Sequence, residues 1–225
     1  MCGRFVQKCG LDALAKAFPG VLFPGELSGP PRYNVAPSQD VLALPNDGAM
    51  TARAMHWGLV PRWAKEPKGL INARSETAAE KPSFREALRR HRCLVFADGF
   101  YEWAEAPGKG GKVPWYFELE GGRPFAFAGI FDLWRDPEGA EHPGIALLTT
   151  KANKVVQPVH DRMPVIVPPA AFKAWLEPGE AAPADLEPLL RPLPSKSMRA
   201  WPVSRLVNDP KHNGPELIAP APDAG

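Results

Sequence analysis

No stretch of the 225 residues approaches the roughly 18 consecutive apolar positions of a membrane-spanning helix, and the first twenty (MCGRFVQKCGLDALAKAFPG) lack the uninterrupted apolar run of a secretion signal. Membrane insertion and secretion are therefore not expected, whereas a cytoplasmic location, on the nucleoid in a bacterium, is. Cysteine is scarce. Cys2, Cys9 and Cys93 are an odd number without a CxxC pair, which argues against a disulfide framework and a four-ligand zinc site and suits a reducing compartment. Charge of one sign is lacking too: 27 Lys+Arg against 25 Asp+Glu leaves +2, so any case for nucleic acid rests on where the cations sit. Walker, GxGxxG, GxSxG and HExxH patterns are absent, which leaves nucleotide-binding, serine-hydrolase and zincin chemistry without local support. Neither a metal nor a cofactor is expected.

What the chain does have is 20 Gly and 28 Pro beside 44% hydrophobic residues, the composition of many loops around a real core. LDALAKAF (11–18) has helical spacing and stops at Pro19-Gly20. VLALP (41–45) and TARAMHWGLV (51–60) flank Asn46-Asp47-Gly48 and predict a hairpin. CLVFADGFYEW (93–103), PWYFELE (114–120), RPFAFAGIFDLW (123–134), GIALLTT (144–150) and RMPVIV (162–167) predict further strands. Helices are expected at 83–92, with Ser83 as N-cap and Glu86 closing a capping box, and at 170–176. Strands outnumber helices without regular alternation, which predicts a single α+β domain: β-rich, with a mostly antiparallel, curved, barrel-like sheet and short peripheral helices. The Pro-rich 177–194 is expected as a surface excursion, and the domain is expected to span 1–218 with a flexible tail over 219–225.

Cys2 is the most unusual candidate for chemistry. Removal of the initiator Met would put an α-amine and a thiol on one residue. An α-amine of pKa about 7.7–8.0 is roughly 20–30% neutral near pH 7.4, enough to attack an aldehyde. The thiol can then close a five-membered thiazolidine on the imine. Equally, a cysteine near a terminus can be incidental. Gly3 and Arg4 could approach and hold a phosphate, or simply begin a strand. RYNVAPSQ (32–39) offers Asn34, and INARSET (71–77) puts Asn72 and Arg74 on one face of an extended segment before a Ser75 N-cap, although buried Asn more often staples a loop. In ADGFYEW, Glu102 shares a face with Asp98 and Phe100 and lies between two aromatics, a setting that raises a carboxyl pKa toward neutrality; a strand-end Glu paired with an Arg fits as well. His160 could serve as an acid/base with Thr149 or Asn34 as partner, or be a satisfied core histidine, and Asp161, on the opposite strand face, is a poor candidate to orient it. HWGLVPRWAK sets Trp57 and Trp63 beside Arg62 and Lys65, the mixture single strands favour, although tryptophans also fill cores. Arg85, Arg89, Arg90 and Arg92 form a solvated helix face first and a backbone-binding stripe second.

Taken in order, MCGRF, RYNVAPSQ, HWGLVPRWA, INARSET, CLVFADGFYEW, LLTTKAN, VHDRMPVIV and VSRLVNDPKHNGPELI resemble the SOS-response-associated peptidase domain family, the abasic-site processing proteins, from Met1 to about Ile218. The resemblance implies a β-rich α+β domain with a basic groove and a partner in single-stranded DNA containing abasic sites, with no obligate protein partner. It implies Cys2 as the crosslinking nucleophile, Asn72 holding the N-terminal residue and the lesion, Glu102 shuttling protons during Schiff-base formation, and His160 assisting at the sugar and in reversal. Arg4, Arg74 and Arg162 would bind phosphates, Trp63 and neighbouring loops would form a DNA platform, and Asn34 and Thr149 would also be DNA-binding. Associated lyase and self-processing peptidase activities are implied too, although with only Met1 before Cys2 ordinary trimming suffices. Two other classes fit the residues: a Cys2/His160 thiol hydrolase, and a noncovalent single-strand binding module.

Overall fold

Apolar residues alternate along the longest strands, and that alternation divides them between two cores. The structure is a computed structural model that describes residues 2–106 and 111–221. Its strands are β1 (Phe5–Gln7), β2 (Arg32–Val35), β3 (Asp40–Pro45), β4 (Arg53–Trp57), β5 (Asn72–Arg74), β6 (Arg92–Ala97), β7 (Gly99–Glu105), β8 (Lys112–Leu119), β9 (Phe125–Arg135), β10 (Glu141–Lys151), β11 (Arg162–Pro164), β12 (Ile166–Val167) and β13 (Met198–Pro202). The α-helices are short: α1 (Leu11–Ala17), α2 (Ser75–Ala78), α3 (Arg85–Arg90), α4 (Phe172–Trp175) and α5 (Pro183–Leu186).

One sheet runs β13-β8-β7-β1-β2. The other runs β11-β10-β4-β3-β6-β9-β12, and because β9 also pairs β10, its central strands close into a ring. Pairing is antiparallel except where β4 and β5 lie parallel to β10. Cys93, Val95, Phe127, Ile145 and Leu147 face a core shared with Phe5, Trp57, Phe100 and Phe117. Their neighbours Leu94, Phe96, Ala128, Ala146 and Leu148 face a second core, roofed by Leu14, Phe18, Leu88 and Trp175. Burial on both faces explains why β6 and β10 read as continuous apolar runs.

The α+β, mostly antiparallel, barrel-like architecture is the one expected, and the hairpin at 41–60 forms as β3–β4. Several local expectations are corrected. The run 93–103 is two strands, broken at Asp98, where the chain leaves one sheet for the other. Asp98 is buried there and accepts the backbone N–H groups of Lys8 (2.6 Å) and Cys9 (3.0 Å). The helix expected at 83–92 forms as α3 and starts at Arg85 rather than 83, because Ser83 lies in a turn closed by Phe84 N–H and Arg85 N–H on the Lys81 carbonyl, so no capping box forms. Arg92 leaves that helix for β6 and is fully buried. The stretch 162–167 is likewise two short strands. The 177–194 excursion is packed: Leu186 and Leu190 join the second core. The start of the expected tail is held by a Pro220–Val203 bridge and by Ala221 N–H on the Pro202 carbonyl at 2.9 Å, while 222–225 lie outside the described residues. Among the described residues no helix is long and apolar enough to cross a membrane.

Candidate active site

The segment before β1 determines where Cys2 sits. Phe5 pairs Phe100, and the Tyr101 N–H donates to the Arg4 carbonyl at 3.0 Å, so the chain start runs antiparallel beside the second half of β7. Asn72, the first residue of β5, donates through Nδ2 to the Cys2 carbonyl at 2.8 Å. Its Oδ1 is buried with no partner among the described residues, an acceptor left over at the site. Cys2 is fully buried and its thiol donates to the Arg4 carbonyl at 3.8 Å. Burial, and then the nearby Glu102 charge, pushes that thiol far above the ordinary thiol range.

Glu102 is 3% exposed, and burial pushes its carboxyl above the ordinary carboxylate range, with His160 opposing the rise. The aromatic setting is real, but it is not made by the sequence neighbours. Tyr101 and Trp103 turn to the other face, where Tyr101 donates to the Tyr33 carbonyl and Trp103 Nε1 to Asn208 Oδ1. Glu102 instead shares a face with Phe100 and with Trp115, its cross-strand partner on β8.

His160 follows a turn closed by its own N–H on the Val156 carbonyl, just before β11. The Arg162 N–H donates to its Nδ1 at 2.9 Å. Asp161 Oδ1 is 3.1 Å from the same nitrogen, contrary to the expectation that strand alternation separates the pair, because the strand begins only after them. Arg162 is held by a bidentate bond to Glu76 (2.6 and 2.8 Å) and by Nη2 on the Thr149 carbonyl at 2.6 Å. Thr149 is fully buried, and its hydroxyl donates to the Ala73 carbonyl at 3.4 Å. Thr149 thus positions Arg162 and β5. Glu76 had no local signal, since its partner is 86 positions away.

Arg4 and Asn34 are bonded to each other and to the loop beyond β13. Arg4 Nη1 donates to Asn34 Oδ1 and the Val207 carbonyl, both at 2.8 Å, while Asn34 Nδ2 donates to the carbonyls of Val207, Asp209 and His212. The pair staples the 205–213 loop. Asn72 and Arg74 do share a face of β5 with buried Ala73 opposite, and Arg74 is exposed. Ser75 is the first helical residue rather than the N-cap, since β5 enters the helix directly from Arg74. Trp57 is a core residue, whereas Trp63 is 63% exposed beside exposed Arg62 and Lys65. Arg89 and Arg90 pair with Glu180, and Arg85 faces solvent. Among the described residues no cluster of three His, Cys, Asp or Glu side chains is placed to hold a metal. Cys2, Asn72, Glu102 and His160 therefore come together from four separate segments, with Arg162 behind them and Arg74 at the rim.

The sequence matches the family model described as SOS response associated peptidase (SRAP) over residues 1–210. The abasic site processing protein YoqW of Bacillus subtilis strain 168 is 44% identical over 222 residues, covering 97% of this chain and 99% of that one. The abasic site processing protein HMCES of Rattus norvegicus is 30% identical over 271 residues, covering 98% of this chain and 76% of that one. Among solved structures, a protein from Bacteroides thetaiotaomicron superposes with a TM-score of 0.85 at 26% identity, covering 98% of this chain and all of the other.

Proposed function

The chain belongs to the SOS response associated peptidase family, and from that membership we propose that it processes abasic sites in single-stranded DNA by joining them covalently through Cys2. The observation that carries the reading is the 2.8 Å bond from Asn72 Nδ2 to the Cys2 carbonyl, which fixes the nucleophile's backbone beside a buried carboxyl. In this reading the functional domain is encoded by residues 1–218 and, once Met1 is removed, begins at Cys2.

The neutral Cys2 amine adds to the C1′ aldehyde of the ring-opened deoxyribose. Protonated Glu102 donates to the carbinolamine oxygen, which leaves as water, and the imine forms. The Glu102 carboxylate then accepts the thiol proton as Sγ adds to C1′ and closes the thiazolidine. One aldehyde, one amine and one thiol thus give one ring and one water, with no redox partner. The raised thiol pKa supports this order of events, since a thiol kept protonated adds only when a base takes its proton. It equally disfavours a thiolate hydrolase. His160 acts at the sugar, assisting ring opening and the reverse reaction, and the same imine would permit lyase cleavage. Arg74 meets a phosphate directly, and Arg162 does so by exchanging Glu76 for it.

The test is incubation with an abasic oligonucleotide. A denaturant-resistant adduct on protein whose intact mass begins at Cys2 is expected, whereas Cys2→Ala should give only an imine that borohydride traps. Stable adduct from Cys2→Ala without reductant, or from protein retaining Met1, overturns the assignment.

A further inference from the structure

Trp63 stands at the tip of a turn in which Ala64 N–H closes on the Pro61 carbonyl at 2.8 Å. Each residue flanking the exposed indole is gripped from β9. Before it, Asp132 takes the Arg62 backbone N–H on Oδ2 at 3.0 Å and the Arg62 side chain on Oδ1, through Nε at 2.9 Å and Nη2 at 2.8 Å. After it, Trp134 Nε1 donates to the Ala64 carbonyl at 2.8 Å. Asp132 and Trp134 are two apart on one strand and so share a face. Both are nearly buried, at 5% and 8% exposure, while the ring they flank is 63% exposed. The Leu133 N–H also donates to Asp132 Oδ1, at 2.9 Å, which fixes the carboxylate's own orientation.

We propose that Asp132 and Trp134 are positioning residues that hold the 61–64 turn so that Trp63 is preorganised as a stacking platform for an unpaired base; the inference rests on the single-strand reading above. The physical reason is the cost of ordering. A base that stacks on an indole gains affinity only in so far as binding need not first freeze the turn that carries it. The clamp fixes the backbone on both sides of Trp63 and occupies Arg62, leaving the indole to face solvent. Neither clamp residue needs to touch DNA.

The experiment measures dissociation constants for a fluorescein-labelled single-stranded oligothymidine with the unmodified protein, Trp63→Ala, Asp132→Asn, Trp134→Phe and the double variants Trp63→Ala/Asp132→Asn and Trp63→Ala/Trp134→Phe. Trp134→Phe keeps an aromatic ring while removing the N–H donor and part of the ring volume, so it stays informative if Asp132→Asn fails to fold. Loss of one stacked base by Trp63→Ala corresponds to roughly 5- to 150-fold. Asp132→Asn and Trp134→Phe should each weaken binding about threefold or more, yet add less than about twofold when Trp63 is already Ala, because residues acting through one side chain are not additive. Binding like the unmodified protein, or a loss that persists undiminished without Trp63, overturns the inference. An unmodified protein that makes no abasic adduct overturns the functional reading instead. A protein that makes the adduct and binds the strand unchanged in both clamp variants overturns the clamp alone.

Discussion

Burying the Glu102 carboxyl ties its proton chemistry to stability at a single residue. Below the ordinary carboxyl pKa the group is protonated in both the folded and unfolded chain. As pH rises past that value the unfolded chain ionises first, so the folded state loses stability until the raised pKa is passed. Glu102→Gln removes that loss. Its thermal midpoint should gain on the unmodified protein as pH rises above the ordinary carboxyl pKa, with no gain below it, while adduct formation slows by about 10²–10⁴-fold. Midpoints that shift in parallel across the range would mean that the carboxyl is not raised. His160→Ala should slow release of preformed adduct by a comparable factor, and timing formation and release separately on one abasic oligonucleotide distinguishes the two residues. Glu102 was readable as a candidate, with Phe100 on its face by strand alternation, but its cross-strand neighbour Trp115 emerges only from strand pairing.

The elements show a second buried charge with a different purpose. Arg92 opens β6 with no exposed surface, and its guanidinium donates to the carbonyls of Leu88, Arg89, Trp175 and Glu177. Leu88, Arg89 and Trp175 carry carbonyls at the ends of α3 and α4, and Glu177 follows α4, so one cation satisfies two helix ends and joins both to the sheet. Arg92→Met would strand several buried acceptors, at a cost of about 3 kcal/mol or more, read as a lowered urea midpoint with unchanged m. An effect below about 1 kcal/mol would show that water replaces the guanidinium there. From sequence this arginine looked like one more solvated helix residue, because nothing local marks where α3 ends and β6 begins.

At the scale of the molecule the net charge is only +2, so attraction to DNA depends on cations gathered at one place. Arg74 and Lys65 are exposed, and Arg162 is reachable by displacing Glu76. If about three to five phosphates are neutralised, noncovalent affinity for a single strand should fall roughly 20- to 130-fold between 50 and 200 mM salt. Anisotropy titrations at the two salt concentrations measure this, and salt-independent binding or a preference for intact duplex counts against the groove. Glu76→Gln should raise affinity at low salt, since it releases Arg162 from a bidentate partner without adding charge to the DNA side.

The sequence by itself determined the strands, through period-two alternation and continuous apolar runs, and it determined the chemistry on offer, because removal of Met1 would give Cys2 both an amine and a thiol, and carboxyl, imidazole and amide groups stand in recognisable segments. Those properties are local. Only the tertiary structure decided which groups meet. It broke 93–103 at Asp98 so that β7 carries Glu102 to the chain start, it laid β5 parallel to β10 so that Asn72 reaches Cys2, and it paired Glu76 with Arg162 across 86 positions. It also joined Arg4 and Asn34 in a staple on the 205–213 loop. Partner choice of this kind depends on register and sheet closure between distant segments, and a hydrogen bond leaves no periodic trace in either of the segments it joins.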